Sequence, residues 1–265
     1  ALLASPAAAA DWPQWRGPRN DGTSPEKGLP AKFGPDQNVA WKVELPGVGS
    51  STPCVWGDHI FLTAQTGPDA LLLCYGTDGK EKWRRKLGSG QVFTRGDEGG
   101  NLATPSPSTD GKHVWAFDGS GVLACYDFAG NKAWSQDLED KYGKFSEKKY
   151  IQFGAHWTPV LHAGKLYVVL LHRGAQLIVA LDAATGKEVW HVTRKSDGRG
   201  ESPDVYASPF VWENGGRALL IVHGNDYCTA HELADGSEVW RVGELNPKAK
   251  YNMAWRAVSS PLVTP

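Results

Sequence analysis

The sequence predicts an all-β fold, a β-propeller of four-stranded antiparallel blades. Gly-x-x-x-Trp occurs four times, at Gly79 and Trp83, Gly130 and Trp134, Gly186 and Trp190, and Gly236 and Trp240. Ser/Thr-Pro precedes each Trp by 29 to 31 residues, at Pro53, Pro105, Pro159 and Pro209, and another Ser-Pro stands at Pro261. A repeat of about 50 residues marks a propeller, a solenoid or an array. Between the two signals, short apolar runs are broken by Gly, Asp and Asn, which is the chemistry of strands and turns rather than of helices. The 31 Gly and 17 Pro supply those turns, and 12 Trp against 1 Met weight the core toward rigid aromatic packing.

Each unit reads as four strands. The first follows Ser/Thr-Pro, at residues 53–56, 105–108, 159–162 and 209–212. A polar turn comes next, at Gly57-Asp58, Asp110-Gly111, Ala163-Gly164 and Asn214-Gly215, and reverses the chain. The second strand is strongly apolar and opens at His59, His113, Leu166 and Ala218; the third opens at Leu71, Val122, Leu177 and Cys228. A tight turn closing on Gly79, Gly130, Gly186 or Gly236 leads to the fourth strand, which carries the Trp. Gly there supplies the positive φ of a hairpin turn. A stack of open sandwiches is the alternative arrangement of such strands.

Alignment of the units also places the cysteines. Cys74 and Cys125 fall where the third unit has Ala180, a position for a small buried residue, so they read as free structural thiols. No two of Cys54, Cys74, Cys125 and Cys228 have metal-ligand spacing. Disulfides remain open to an exported chain.

The net charge of -1 gives no sign of a nucleic-acid partner or of a charged membrane surface. Residues 1–10, Ala-rich and ending near Ala10, read as the remnant of a secretory signal or as a disordered tail. No other stretch approaches the roughly 20 apolar residues of a transmembrane segment. The expected location is therefore exported, periplasmic or extracellular. Residues 11–38 form an N-terminal extension, and 39–265 a partial propeller. It comprises a closing strand at 39–45, blades at about 50–88, 101–139, 155–194 and 205–245, and the start of a fifth at 257–265.

The segment Ala180 to Trp190, ALDAATGKEVW, resembles the tryptophan-docking motif of pyrroloquinoline-quinone (PQQ) type propeller repeats, and the other three units are looser versions of it. The opening DWPQWRGPRNDG, from Asp11, resembles the start of exported, planctomycete-like PQQ-like propeller proteins of bacteria. The resemblance covers nearly all the chain after Ala10. It implies that Trp41, Trp83, Trp134, Trp190 and Trp240 are structural, each packed flat between neighbouring blades. It implies a ring of seven or eight blades, closed by an N-terminal strand that completes the last blade. At this period eight blades need roughly 400 residues. Further C-terminal blades are then needed to close the ring, or a second chain completes it.

Function is expected at the axial end where the first strands enter. The long inter-blade loops at 89–100, 141–154, 196–204 and 246–256 and the residues beside them carry the unusual chemistry. Arg95, Asp97, Glu98, Gln152, Arg199 and Glu201 belong to this set. His156, Trp157, Tyr206, Trp255 and Arg256 stand just before their Ser/Thr-Pro signals, near the channel mouth, as candidate cofactor-binding residues. Such a ring of aromatic and basic groups can hold a planar anionic ligand by stacking and ion pairing; equally, large residues there can plug a tapering channel. His172 and His223, at second-strand ends, read as solvated turn histidines or as groups converging on one ligand. Glu139, Asp140 and Glu147 lie in a charged loop read as solvated. No catalytic or nucleotide-binding motif occurs, and no metal ligands are assigned.

Two functions follow. One is a non-catalytic binding or scaffold module for protein or small-molecule partners at the channel mouth, similar in fold to the outer-membrane β-barrel assembly scaffold lipoprotein and without a cofactor. That family carries a lipid-bearing Cys at the mature N-terminus, whereas the first Cys here is Cys54. The alternative is a quinoprotein dehydrogenase using PQQ and calcium to oxidise alcohols or sugars. Many such enzymes wall the quinone with adjacent cysteines, and no Cys-Cys occurs here. Trp157 or Trp255 would be the stacking floor in that reading.

Overall fold

The computed structural model describes residues 10–90, 94–95, 98–145 and 155–262. The signal remnant before Ala10, Asp97, Glu147, Gln152 and the last residues of the started fifth unit lie outside them.

Among the described residues the strands build four four-stranded antiparallel sheets and one small hairpin. The first sheet holds β1 (Cys54–Trp56), β2 (His59–Thr66), β3 (Asp69–Gly76) and β4 (Glu81–Ser89). The hairpin pairs β5 (Thr94–Arg95) with β6 (Glu98–Gly99). The second sheet holds β7 (Ser108–Thr109), β8 (His113–Phe117), β9 (Val122–Asp127) and β10 (Lys132–Asp137), followed by the short helix α1 (Leu138–Tyr142). The third holds β11 (Val160–His162), β12 (Lys165–His172), β13 (Ala175–Asp182) and β14 (Glu188–Thr193). The fourth holds β15 (Phe210–Asn214), β16 (Arg217–Gly224), β17 (Tyr227–Glu232) and β18 (Glu238–Val242).

Chain order is sheet order in every case, so each unit is a simple meander. β1 adjoins β7, β7 adjoins β11 and β11 adjoins β15. The first strands therefore line a common axis and the fourth strands face outward, which makes the sheets blades of a propeller. The three larger apolar cores lie between blades. Phe61, Leu72 and Trp83 of the first blade pack with Val114 and Tyr126 of the second. Trp115 and Phe117 of the second pack with Val168 and Leu181 of the third, and Tyr167 and Ile178 of the third with Leu220 and Val222 of the fourth.

Two contacts fasten one blade to the next. The outer one is made by the repeated Trp. The indole of Trp83 donates to Phe128 O at 2.8 Å, that of Trp134 to Ala183 O at 3.0 Å and that of Trp190 to Leu233 O at 3.2 Å. Each ring lies against the glycine of the following blade. A Cβ added at Gly130, Gly186 or Gly236 would stand 2.9, 2.8 or 2.6 Å from the indole. These glycines have φ of 80°, 71° and 76°, so both the backbone and the ring above it require the absence of a side chain. Across the hairpin the Trp faces a small residue: Cys74 opposite Trp83, Cys125 opposite Trp134, Ala180 opposite Trp190 and Ala230 opposite Trp240. All four cysteines are free thiols, and Cys54, Cys74 and Cys125 are buried.

The inner contact is a chain of amide-to-hydroxyl hydrogen bonds around the axis. Thr52 N–H donates to Ser106 Oγ at 2.9 Å, Ser106 N–H to Thr158 Oγ1 at 3.0 Å, Thr158 N–H to Ser208 Oγ at 2.8 Å, and Ser208 N–H to Ser260 Oγ at 2.8 Å. This gives the Ser/Thr-Pro signal its physical meaning. It also corrects the second unit, whose equivalent pair is Ser106-Pro107 and not Thr104-Pro105. The first strand there accordingly starts later and is only two residues long.

Residues 39–45 join no sheet among the described residues. Trp41 still lies against Gly79 of the first blade and donates to Thr77 O at 2.7 Å. Trp41 and Trp240, at the two ends of the series, are each 41% exposed, against 9% for Trp83.

Two outcomes test these contacts. Gly186→Ala is expected to lower stability by about 2–4 kcal/mol, from backbone strain plus collision with Trp134. Gly57→Ala, at φ 56° with open space around it, is expected to cost only about 1 kcal/mol. Urea unfolding of both variants reads the difference, and equal costs would show that the ring contact contributes nothing. Thr158→Val strips the acceptor from the buried Ser106 amide and should cost about 1–3 kcal/mol, whereas Thr158→Ser should be nearly silent in the same assay.

Candidate functional site

The inner strands converge on an axial cavity of about 770 Å³. Thr52, Ser106, Thr158, Ser208 and Ser260, the hydroxyls of the inner chain, all line it. Each of the last four hydroxyl oxygens already accepts a backbone N–H, so each is left with a hydrogen to donate. The cavity wall is thus rich in donors.

His156, Tyr206 and Arg256 come together at this cavity. The imidazole and the phenol meet edge to face at 5.2 Å. The Arg256 guanidinium lies 5.9 Å from the Tyr206 ring, and its Nε pairs with Glu201 Oε2 at 3.0 Å. Tyr206 N–H donates to Ala257 O at 2.9 Å, which ties the fourth unit to the start of the fifth beside the site. Behind them Asp204 is fully buried and pairs with Arg173 Nη2 at 2.6 Å. Burial pushes its carboxyl up to about 6 despite that cation.

Two further candidates lie elsewhere. Trp157 is 1% exposed and packs on Phe145 at 5.8 Å and Phe117 at 6.1 Å, in the core between the second and third blades. Its neighbour His156 faces the axis, and alternation along an extended segment turns Trp157 the other way. Trp255 is 49% exposed and does not line the cavity. The indole that does line it is Trp15, from the N-terminal extension. Sequence position gave no hint of this, because the extension returns to the axis only through tertiary contacts.

The histidines also differ from expectation. His172 is 1% exposed, lies 5.5 Å from the Phe145 ring, and burial lowers its imidazole to about 4. It is a core residue rather than a solvated one. Glu139 is likewise buried, accepting from Phe145 N–H at 2.8 Å and pairing with Lys144 at 3.0 Å. Asp140 is exposed. The Arg199 N–H donates to Tyr251 Oη at 2.7 Å, and the Arg199 guanidinium stacks on that ring. Arg95 and Glu98 are backbone register partners in the β5–β6 hairpin.

Between the third and fourth blades the repeat's apolar pattern gives way to a buried polar relay. Arg194, fully buried, donates from Nε to Thr229 Oγ1 at 2.8 Å. His231 lies 2.9 Å from Thr229 Oγ1 through Nε2 and 2.9 Å from Gly236 O through Nδ1. A carbonyl only accepts, so Nδ1 carries the proton and Nε2 accepts from Thr229. Burial lowers the His231 pKa, in keeping with this neutral tautomer.

Among the described residues no group of three or more His, Cys, Asp or Glu converges as metal ligands would. The cavity offers hydroxyls, an imidazole and a guanidinium. That donor set suits an acidic organic group such as the quinone of the resemblance, and it does not suit a calcium ion.

Fold and cavity define the class: a β-propeller with an axial ligand-sized pocket. The chain belongs to the family described as outer membrane protein assembly factor BamB, whose profile matches residues 119–264, more than half of its length. No curated protein matches it. Among solved structures, the quinohemoprotein alcohol dehydrogenase of Comamonas testosteroni is similar with a TM-score of 0.66 at 16% identity, covering 96% of this chain and 44% of that one. The quinohemoprotein alcohol dehydrogenase ADHIIG of Pseudomonas putida HK5 gives a TM-score of 0.50 at 18% identity, over 77% of this chain and 35% of that one. BamB from Moraxella catarrhalis gives 0.49 at 15%, over 77% and 54%. At these identities the likeness shows the fold alone. The chain spans about half the length of these structures or less.

The buried imidazole sets a pH dependence. His231 has a folded pKa below its unfolded value, so the unfolded chain takes up a proton first as pH falls through about 6.5, and stability is lost. In His231→Leu, which installs the residue of the third unit, stability should fall less between pH 7 and pH 5, by up to about 1.4 kcal/mol per pH unit. Urea midpoints at the two pH values measure it, and an unchanged slope would remove His231 from the account.

Proposed function

We propose that this chain is part of an exported, non-catalytic propeller that acts as a binding module, with its ligand face at the axial cavity. The observation that carries this reading is the convergence of His156, Tyr206 and Arg256 on a cavity ringed by hydroxyl donors. A guanidinium and several O–H groups around a partly aromatic wall favour a planar ligand bearing carboxylates. Membership of the BamB-described family supports a scaffold or assembly role outside the cytoplasm, with protein partners at the same face. No helix among the described residues is long and apolar enough to cross a membrane.

The ring needs more than these blades. Residues 39–45 join no sheet among the described residues and expose Val39, Trp41, Val43 and Leu45, and β18 exposes Val239, Trp240 and Val242. Each is the kind of open edge that another strand covers. Further blades between them, supplying a glycine beneath Trp240 and three partners for residues 39–45, would complete a seven- or eight-bladed ring and bury both.

A second reading is favoured by the similarity to the Comamonas dehydrogenase, namely a quinoprotein enzyme of which these blades are part. When bound, PQQ would supply the redox chemistry, and Arg256 with the hydroxyl ring would hold its carboxylates. The calcium ion of such enzymes has no carboxylate set among the described residues.

The two readings separate in one experiment. The full-length protein is titrated with PQQ, with and without calcium, and followed by its absorbance and by dye-linked alcohol oxidation. The binding-module reading expects no turnover. It also expects any PQQ uptake to be independent of calcium and weakened at least about tenfold in Arg256→Ala, a loss typical of a charged contact. Calcium-dependent turnover would overturn it in favour of the enzyme.

A further inference from the structure

The N-terminal extension returns to the axis and touches successive blades in order. Asp11 Oδ1 accepts from Gly57 N–H at 2.8 Å, and Trp12 pairs both ways with Val55 of β1, each bond 2.8 Å. Pro13 O accepts from Thr109 N–H of β7 at 2.8 Å, and Gln14 Oε1 from Leu161 N–H of β11 at 3.3 Å. Val55, Thr109 and Leu161 are equivalent positions. Each stands three residues after its clasp hydroxyl, at Thr52, Ser106 and Thr158. Consecutive residues of one segment therefore cap the inner edges of three consecutive blades. Arg16 then reaches the fifth unit, donating to Pro261 O at 2.6 Å and to Ser260 O at 3.1 Å.

An inner strand is a sheet edge, and its unpaired amides need partners where water is scarce. The segment supplies them, and it is shaped for the task. A turn at Arg16 (φ 64°) and Gly17 (φ 76°) folds it back, with the Trp12 ring against Gly17, where a Cβ would stand 2.8 Å from the indole. The capped amides lie three residues, about 10 Å, along the inner strands from the hydroxyl ring. From there Trp15 lines the cavity. The Arg16 guanidinium sits 4.4 Å from the Trp15 ring centre and is itself held by the two carbonyls of the fifth unit, so the indole is fixed in place before any ligand arrives.

We propose that residues 11–16 are a built-in plug that closes one end of the axial channel, and that the Trp15 indole is the stacking floor on which an aromatic carboxylate lies. The proposal rests on reading the axial cavity as a ligand site, and it adds the floor and the direction of entry. The ligand then enters from the opposite end, where His156, Tyr206 and Arg256 stand. His156 and Tyr206 form the wall, Arg256 pairs with the carboxylate, and the hydroxyl ring takes its remaining oxygen. Specificity for a flat ring then comes from Trp15, a residue outside the repeats.

The test uses the full-length protein and 2-naphthoate as probe, with cyclohexanecarboxylate as the non-planar control, by titration calorimetry. Native-state amide exchange is followed in parallel. The proposal expects naphthoate to bind at least tenfold tighter than the control. Trp15→Ala should lose at least tenfold in affinity while Trp15→Phe loses less, and Arg256→Ala should weaken both acids. It expects protected amides at Val55, Thr109 and Leu161 in the wild type, with Gln14→Ala speeding exchange at Leu161 at least tenfold. If Arg256→Ala weakens naphthoate and Trp15→Ala does not, the cavity stands as a site and the floor is overturned. If naphthoate does not bind the wild type, the ligand site and its floor both fail. Loop-like exchange at the three amides overturns the plug whatever the calorimetry shows.

Discussion

Everything in this molecule depends on how one blade is held to the next. A four-stranded meander buries little apolar surface by itself, and the three larger apolar clusters here span neighbouring blades. The angle and spacing between neighbouring sheets therefore set the fold. Two contacts at different radii fix them: an indole laid on a bare glycine near the rim, and a hydroxyl accepting an amide near the axis. Burying an indole is worth a few kcal/mol, and each satisfied amide avoids a penalty of about 1–3 kcal/mol. Both contacts require particular residue types, which is why both appear as motifs.

The same geometry creates the candidate site. Setting the Ser and Thr clasps side by side around an axis leaves a cavity lined by their hydroxyls. The residues just upstream of each clasp necessarily arrive at its mouth. His156, Tyr206 and Arg256 occupy those positions, and Glu201 holds the guanidinium from one side. A scaffold built for stability thus presents a donor-rich pocket as a by-product, and loop residues decide what it holds.

The fold was legible in the sequence because each constraint is local. A positive-φ glycine four residues before a Trp is a short-range pattern, and strand alternation is shorter still. The second unit shows where this fails: Thr104-Pro105-Ser106-Pro107 offers two Ser/Thr-Pro pairs, and only the inter-blade hydrogen bond shows that Ser106 is the clasp. The site was legible in part. His156, Tyr206 and Arg256 followed from their place before the clasp, but one-residue alternation sent Trp157 into the core. Trp15 was invisible, because nothing in residues 11–20 encodes their return to the axis except contacts with strands more than forty residues away. His172 was misread for a related reason. A turn position normally faces water, and only the packing of Phe145 over it makes it core.

The central claim is that indole and glycine act as one joint between blades. A double-mutant cycle on Trp134 and Gly186 tests it most directly, with unfolding free energies measured for Trp134→Ala, Gly186→Ala and both together. If the ring rests on the glycine, removing the indole relieves the collision, and the cost of Gly186→Ala falls by about 1–2 kcal/mol toward that of an ordinary positive-φ site. Strictly additive costs would contradict the account, since the two residues would then stabilise their blades independently.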